Sequence, residues 1–137
     1  MLDPMRRVLA GANTDILFAV ADAGYPDVRI QHLSVFALVP RDEGMRMSEL
    51  AERLQITPGA VTQMVEQLER MGLVNRSPDP SDGRAVIVRP TPRAEAGYEA
   101  GRRRIAELEA GWEQRVGPRR WATFKAVLNE IASQAGP

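Results

Sequence analysis

The chain has 137 residues, 44% of them hydrophobic, which is enough for one domain with a core of its own. Its 18 Lys+Arg balance its 18 Asp+Glu, which argues against a protein that coats nucleic acid indiscriminately through net charge. No cysteine is present, excluding a thiol redox switch and a cysteine-ligated zinc site. No signal peptide and no apolar run of membrane-spanning length is readable, so a cytoplasmic location without membrane contact is expected.

In chain order, Leu9, Ala12, Ile16, Ala19, Val20 and Ala23 form an apolar helical stripe, closed by Gly24 and Pro26. A second apolar helix follows through Leu33, Val35, Phe36, Leu38 and Val39. His32, the only histidine, stands at its start and reads as a hydrogen-bonded structural residue. Asp42-Glu43 before Gly44 reads as a solvated turn.

The stretch from Ser48 to Arg93 carries the most information. Ser48 is a suitable N-cap, and Leu50, Ala51 and Leu54 lie on one side of a short helix. Gln55 and Ile56 turn the chain. Thr57 caps the next helix, with Pro58 at its first position, where a missing N–H is harmless. Val61, Met64, Val65 and Leu68 recur at the spacing of a core-facing stripe. Gly59, Thr62, Gln63, Glu66 and Gln67 occupy the opposite face. Gly72 ends this helix. Leu73-Val74 begin a strand, and Ala85, Val86, Ile87 and Val88 form its partner. The run Ser77-Pro78-Asp79-Pro80-Ser81-Asp82-Gly83 reads as a loop at the hairpin tip.

Thr91-Pro92 start a long helix through Tyr98, Ile105, Leu108 and Trp112, which Gly117-Pro118 break. A last helix presents Trp121, Phe124, Val127, Leu128 and Ile131. A winged segment of this size has its own core, so the three flanking helices need another partner for their apolar faces. Arg102-Arg103-Arg104 cannot all face inward and read as a solvated face paired with Glu99, Glu107 or Glu109.

The order of elements is a helix-turn-helix with a β-hairpin wing, a mainly α, α+β architecture that points to duplex DNA. A helix fits the major groove, its N-terminal residues reach base edges, and the preceding helix braces on the backbone. Thr62 and Gln63 stand where bases are read, since Gln pairs bidentately with adenine and a Thr methyl packs on thymine. Ser48, Thr57, Pro58, Gly59, Gln67 and Arg76 complete the expected contact set, with helix N-termini and arginines positioning phosphates. A mobile wing tip would carry Arg84 into the minor groove, with Asp82 holding its guanidinium. From Arg70 to Arg93, five arginines face two aspartates, a local charge of +3. Seventeen of the 18 basic residues are arginine, which suits phosphate recognition and would equally follow from a GC-rich genome.

These residues resemble the multiple-antibiotic-resistance-regulator (MarR) family of winged-helix transcription factors. The resemblance rests on Leu50-Ala51-Glu52-Arg53-Leu54, Val61-Thr62-Gln63-Met64-Val65 and Leu68-Glu69-Arg70-Met71-Gly72-Leu73-Val74. It continues through Pro78-Asp79-Pro80-Ser81-Asp82-Gly83-Arg84 into Thr91-Pro92. The family's aspartate-x-arginine wing motif falls on Asp82 and Arg84. The chain departs from the family's usual residues at Gly59, Gln63 and Pro90. The resemblance implies a single domain over 1–137, with a winged helix over 30–93 and dimerisation helices over 1–25 and 91–137. It implies a homodimeric DNA-binding regulator, a repressor, acting on a pseudo-palindromic site. It further implies release by a small aromatic or phenolic acid, in a cleft bordered by the first two helices and the long fifth one. Tyr25, Arg29 and His32 are the residues expected to orient that anion.

An enzyme is not expected. No second strong base stands at a readable spacing from a serine, and there is no phosphate-binding glycine pattern or metal-ligand cluster. No cofactor is implied. The rival reading is a winged-helix protein-interaction module that has lost specific DNA binding, and Arg84 at the wing argues against it.

Overall fold

The structure, a computed structural model, describes residues 2–135. The outermost ends of the expected domain and dimerisation segments, residues 1, 136 and 137, therefore lie outside the described residues. Among the described residues, six helices and three strands follow one another: α1 (Leu2–Asp22), α2 (Ile30–Leu38), β1 (Met45–Arg46), α3 (Met47–Leu54), α4 (Pro58–Arg70), β2 (Val74–Asp79), β3 (Asp82–Pro90), α5 (Glu95–Val116) and α6 (Pro118–Gln134). A single 3-10 turn, Pro92–Ala94, leads into α5. This is a mainly α winged helix-turn-helix.

Local chemistry sets the helix boundaries. The Thr57 hydroxyl accepts the Ala60 N–H at 3.1 Å, capping α4 with Pro58 at its first position. At the other end Gly72 turns left-handed (φ 74°). There the Gly72 N–H bonds to the Glu69 carbonyl and the Leu73 N–H to the Leu68 carbonyl, the paired closure that a glycine permits. Between α3 and α4 the chain turns at Gln55, left-handed at φ 54°. Gly117 (φ 87°) separates α5 from α6.

Leu50, Val61, Val65, Leu68, Val35 and Val88 form the centre of the core, each nearly or fully buried. The α4 stripe therefore faces inward as its spacing requires, with Met64 at the edge. Trp121 on α6 is buried against Trp112 (ring centroids 5.8 Å) and Phe124 (5.5 Å). Arg104 on α5 reaches Asp15 on α1 at 2.9 Å and Glu107 at 2.9 Å, and Arg102 pairs with Glu99.

Three expectations are corrected. The sheet is three-stranded, antiparallel, in the order β1-β3-β2. Strand β1 is only two residues long and was not legible as a strand. Because β1 delivers the chain directly into α3, the residue before the helix is Arg46 (φ −62°, ψ 139°). Ser48 thus sits inside the first turn rather than capping it. The expected loop Ser77–Gly83 is mostly strand: β2 runs to Asp79 and β3 starts at Asp82, leaving Pro80-Ser81 as the turn. Proline is tolerated at Pro78 because β2 is an edge strand, and the register shifts beside it. Asp42-Glu43 form the exposed turn expected of them, and Gly44 after it packs its backbone closely on β3. At φ 73°, a Cβ there would lie 2.5 Å from Arg89 Cγ and 2.6 Å from the Val88 carbonyl oxygen.

Candidate nucleic-acid interface

The helix-turn-helix exposes one side of the N-terminal half of α4. Thr57, Pro58, Gly59 and Gln63 are exposed, as is Ser48 on the neighbouring α3. Thr62 is half-buried, and its hydroxyl donates to the Pro58 carbonyl at 2.9 Å. That hydrogen bond engages its hydroxyl within the helix.

Gln67 does not share that face. It is half-buried, and its Oε1 lies 2.9 Å from His32 Nε2 on α2. Arg76 is also engaged, donating to Glu69 at 2.7 and 3.1 Å, with Glu66 at 3.8 Å. The hydrogen bond to Arg76 holds the Glu69 carboxyl below its ordinary range, and Arg76 is raised in turn. This pair ties the end of α4 to strand β2, so Arg76 fixes the wing on the helix.

The wing tip is braced from within. Asp79, buried in the turn, accepts the Ser81 N–H and the Ser81 hydroxyl, both at 2.8 Å. From β1, Arg46 reaches across β3 and donates Nε to Asp79 Oδ2 at 2.6 Å. The Ser81 bonds first, and then Arg46, hold the Asp79 carboxyl below the usual carboxylate range. Arg46 and Asp79 carried no site signal in the sequence, since a lone arginine between two methionines is unremarkable.

Asp82 acts differently from the expectation. It accepts the backbone N–H of Arg84 at 3.1 Å and makes no ion pair with the guanidinium. Among the described residues, Arg84 has no carboxylate partner and is exposed. The same holds for Arg70 and Arg93, so the positive charge of this region is largely uncompensated where it meets solvent.

A cavity of about 400 Å³ lies between α1, α2 and α5. Of the three residues expected to line it, only Tyr25 does. His32 is buried under the opposite side of α2, its Nδ1 accepting the Arg29 N–H at 2.9 Å. Arg29 and His32 are therefore absent from the wall. Arg41, Tyr98 and Arg102 line it instead; Tyr98 read only as part of an apolar stripe in the sequence. No group of three or more metal-ligating side chains stands together among the described residues, and no helix there is long and apolar enough to cross a membrane.

With this geometry in hand, the chain can be set beside known proteins. The model of the MarR family matches residues 30–86. The HTH-type transcriptional repressor MdtR of Bacillus subtilis is 33% identical over 76 residues, covering 53% of this chain and 49% of that protein. The chain thus spans about half the length of the curated relatives it matches. Among solved structures, the transcriptional repressor CouR bound to a 23-mer DNA duplex is 25% identical, with a TM-score of 0.74 over 94% of this chain and 89% of that one. The crystal structure of MarR superposes with a TM-score of 0.81 over 98% and 90%, at 18% identity, a likeness of fold. These relatives are transcription regulators, not enzymes.

Proposed function

Since residues 30–86 match the model of the MarR family of transcriptional regulators, we propose that this chain is a member of it and a repressor. In this reading it acts in the cytoplasm, binding a pseudo-palindromic duplex as a homodimer. The observation that carries the reading is the exposed start of α4 beside a wing whose Arg84 guanidinium has no carboxylate partner among the described residues. Gln63 and the Thr62 methyl read base edges in the major groove. Thr57, Pro58, Gly59 and Ser48 sit where the helix N-termini meet phosphates. Arg84 enters the minor groove. MdtR is named a repressor, and CouR was solved on DNA; both support the assignment.

The dimer is supported by what α1, α5 and α6 leave uncovered. Leu9 and Phe18 on α1, Ile105 on α5, and Phe124, Val127 and Ile131 on α6 are all exposed. Apolar surface of this extent on three adjacent helices calls for a partner, and a second copy brings the same helices together about a two-fold axis. The winged helix over 30–93 then reads DNA, and the segments 1–25 and 91–137 hold the two copies.

The cavity between α1, α2 and α5 is the seat of a small aromatic effector in this reading. Its floor is α2, which is tied to α4 through His32 and Gln67. A ligand there alters the spacing of the two reading helices, which must meet successive major grooves together. Moving such a balance from 1:99 to 99:1 takes roughly 5.5 kcal/mol of preference for the incompetent spacing.

Selection from a random duplex library, with light scattering of the same sample, tests the proposal. The expected result is a species of twice the 15.1 kDa chain mass. It should enrich inverted half-sites about 10 base pairs apart, centre to centre. Enrichment of no sequence would favour the protein-interaction alternative, and a single-chain species would overturn the dimer.

A further inference from the structure

Arg46, the second residue of β1, is fixed through its backbone and its side chain. Its backbone pairs with Ile87 of β3, and it is the residue from which α3 starts. Its side chain spans to Asp79 at the end of β2, with Nε 2.6 Å and Nη2 2.5 Å from Asp79 Oδ2. The other carboxylate oxygen, Oδ1, accepts the Ser81 N–H and the Ser81 hydroxyl. Each oxygen of a carboxylate in a residue only 7% exposed is thus engaged twice, the arrangement in which a buried charge is tolerated. Of these partners, Arg46 alone lies outside the β2–β3 hairpin.

From Asp79 the contacts run on to the exposed arginine at the tip. Asp79 pairs across the turn with Asp82, whose Oδ1 accepts the Arg84 N–H at 3.1 Å. Carboxylates facing each other across strands repel, and Arg46 supplies the positive charge that offsets one of them. The sheet register shifts between Pro78 and Asp79, so the ladder is interrupted where the tip begins. At its base the hairpin is held separately, by Arg76 on Glu69. Arg46 is a second hold, nearer the tip, and it comes from the residue that opens the helix-turn-helix.

Resting on the reading of Arg84 as the wing's contact with DNA, we infer that Arg46 is a positioning residue for that contact. It does not meet the duplex itself. Through Asp79 and Asp82 it sets the place from which the Arg84 side chain leaves the wing. It also ties that place to α3, the helix packed beside the reading helix α4.

Binding of the intact protein to a duplex of random sequence, at one fixed salt concentration, tests this, because the Arg84 contact is expected to count there as much as on a preferred site. Arg84→Ala should weaken binding by about tenfold or more. Asp79→Asn makes the protein more positive, yet should weaken binding by about three- to tenfold. A direct contact of Arg46 with phosphate, or charge alone, predicts tighter binding for this variant. Arg46→Ala combined with Asp79→Asn keeps the parent's net charge and should show the same loss. In the Arg84→Ala background none of these changes should cost more than about twofold, since the group they position is gone. Ser81→Ala removes one bond at Oδ1 and leaves the ion pair. It should give a smaller loss with the same dependence on Arg84, and it serves if Asp79→Asn folds poorly. Asp79→Asn binding as tightly as the parent, or losses that persist in full without Arg84, would overturn the inference. Arg84→Ala binding like the parent would overturn the reading of the wing, and the inference with it.

Discussion

His32 and Gln67 are joined side chain to side chain at 2.9 Å across the α2–α4 contact. Since His32 Nδ1 accepts the Arg29 N–H, Nε2 is the nitrogen that carries the proton and donates to Gln67 Oε1. His32 is 2% exposed, so both ring nitrogens are satisfied only by protein. The reading helix is thereby held on the helix that floors the cavity.

Removing both partners should cost less than the two single removals added together. His32→Leu and Gln67→Leu should each destabilise the protein by about 1–3 kcal/mol, because one strands the half-buried Gln67 amide and the other the buried His32 Nε2–H. The double variant should lose less than the sum of the two. Urea unfolding of the four proteins measures this, and strict additivity would mean the bond carries no coupling.

The two elements expected at DNA should fail differently. Arg84→Ala should weaken binding to operator and scrambled duplex alike, by on the order of 1–3 kcal/mol, because a wing arginine meets phosphate and groove shape. Gln63→Ala should relax preference at one base pair and spare non-specific affinity. Titrations at one fixed salt concentration decide the matter; equal losses for both variants on every duplex would mean the roles are wrongly divided.

Acid should loosen the wing before the rest of the fold. Asp79 is held below the ordinary carboxylate range by Ser81 and Arg46, so its folded value is depressed relative to the unfolded chain. Its stabilising contribution is complete above about pH 4 and is lost as pH falls through the folded value. Asp79→Asn should therefore be less stable than the parent at neutral pH, with the gap closing below about pH 4. Urea midpoints across that range test it, and a gap that stays constant into acid would refute the assignment.

Legibility in the sequence followed the strength of local signals. The α4 stripe, its Thr57 cap and the Gly72 closure were all readable, because each is fixed by neighbours within one or two turns. Gln67 misled because it stands three residues after Met64, on the flank of the stripe, where a neighbouring helix can reach it. Only the packing of α2 decides that, and it comes from residues 35 positions away. The wing tip misled for a similar reason: Pro78 and Pro80 suggest a loop, yet an edge strand tolerates a proline, and Asp79 finds Arg46 from a strand too short to announce itself. Tyr98 carries the same lesson for the cavity. Its spacing marks a buried face, and nothing local says that its hydroxyl lacks a partner.

The brace of Arg46 on Asp79 has a consequence for how the wing meets a groove. A floppy tip would lose its freedom on contact and could adapt to many widths. This one is ordered in advance, so little beyond the Arg84 side chain, roughly 0.5–1.5 kcal/mol, remains to be immobilised. If the wing enters a groove as proposed, its tip would work as a caliper with fixed jaws. A duplex whose minor groove cannot narrow to fit gains nothing from the wing bending, and the mismatch appears as lost affinity. In the proposed complex, stiffness in the protein would thus make the deformability of the DNA, at positions that no side chain touches, part of what is recognised.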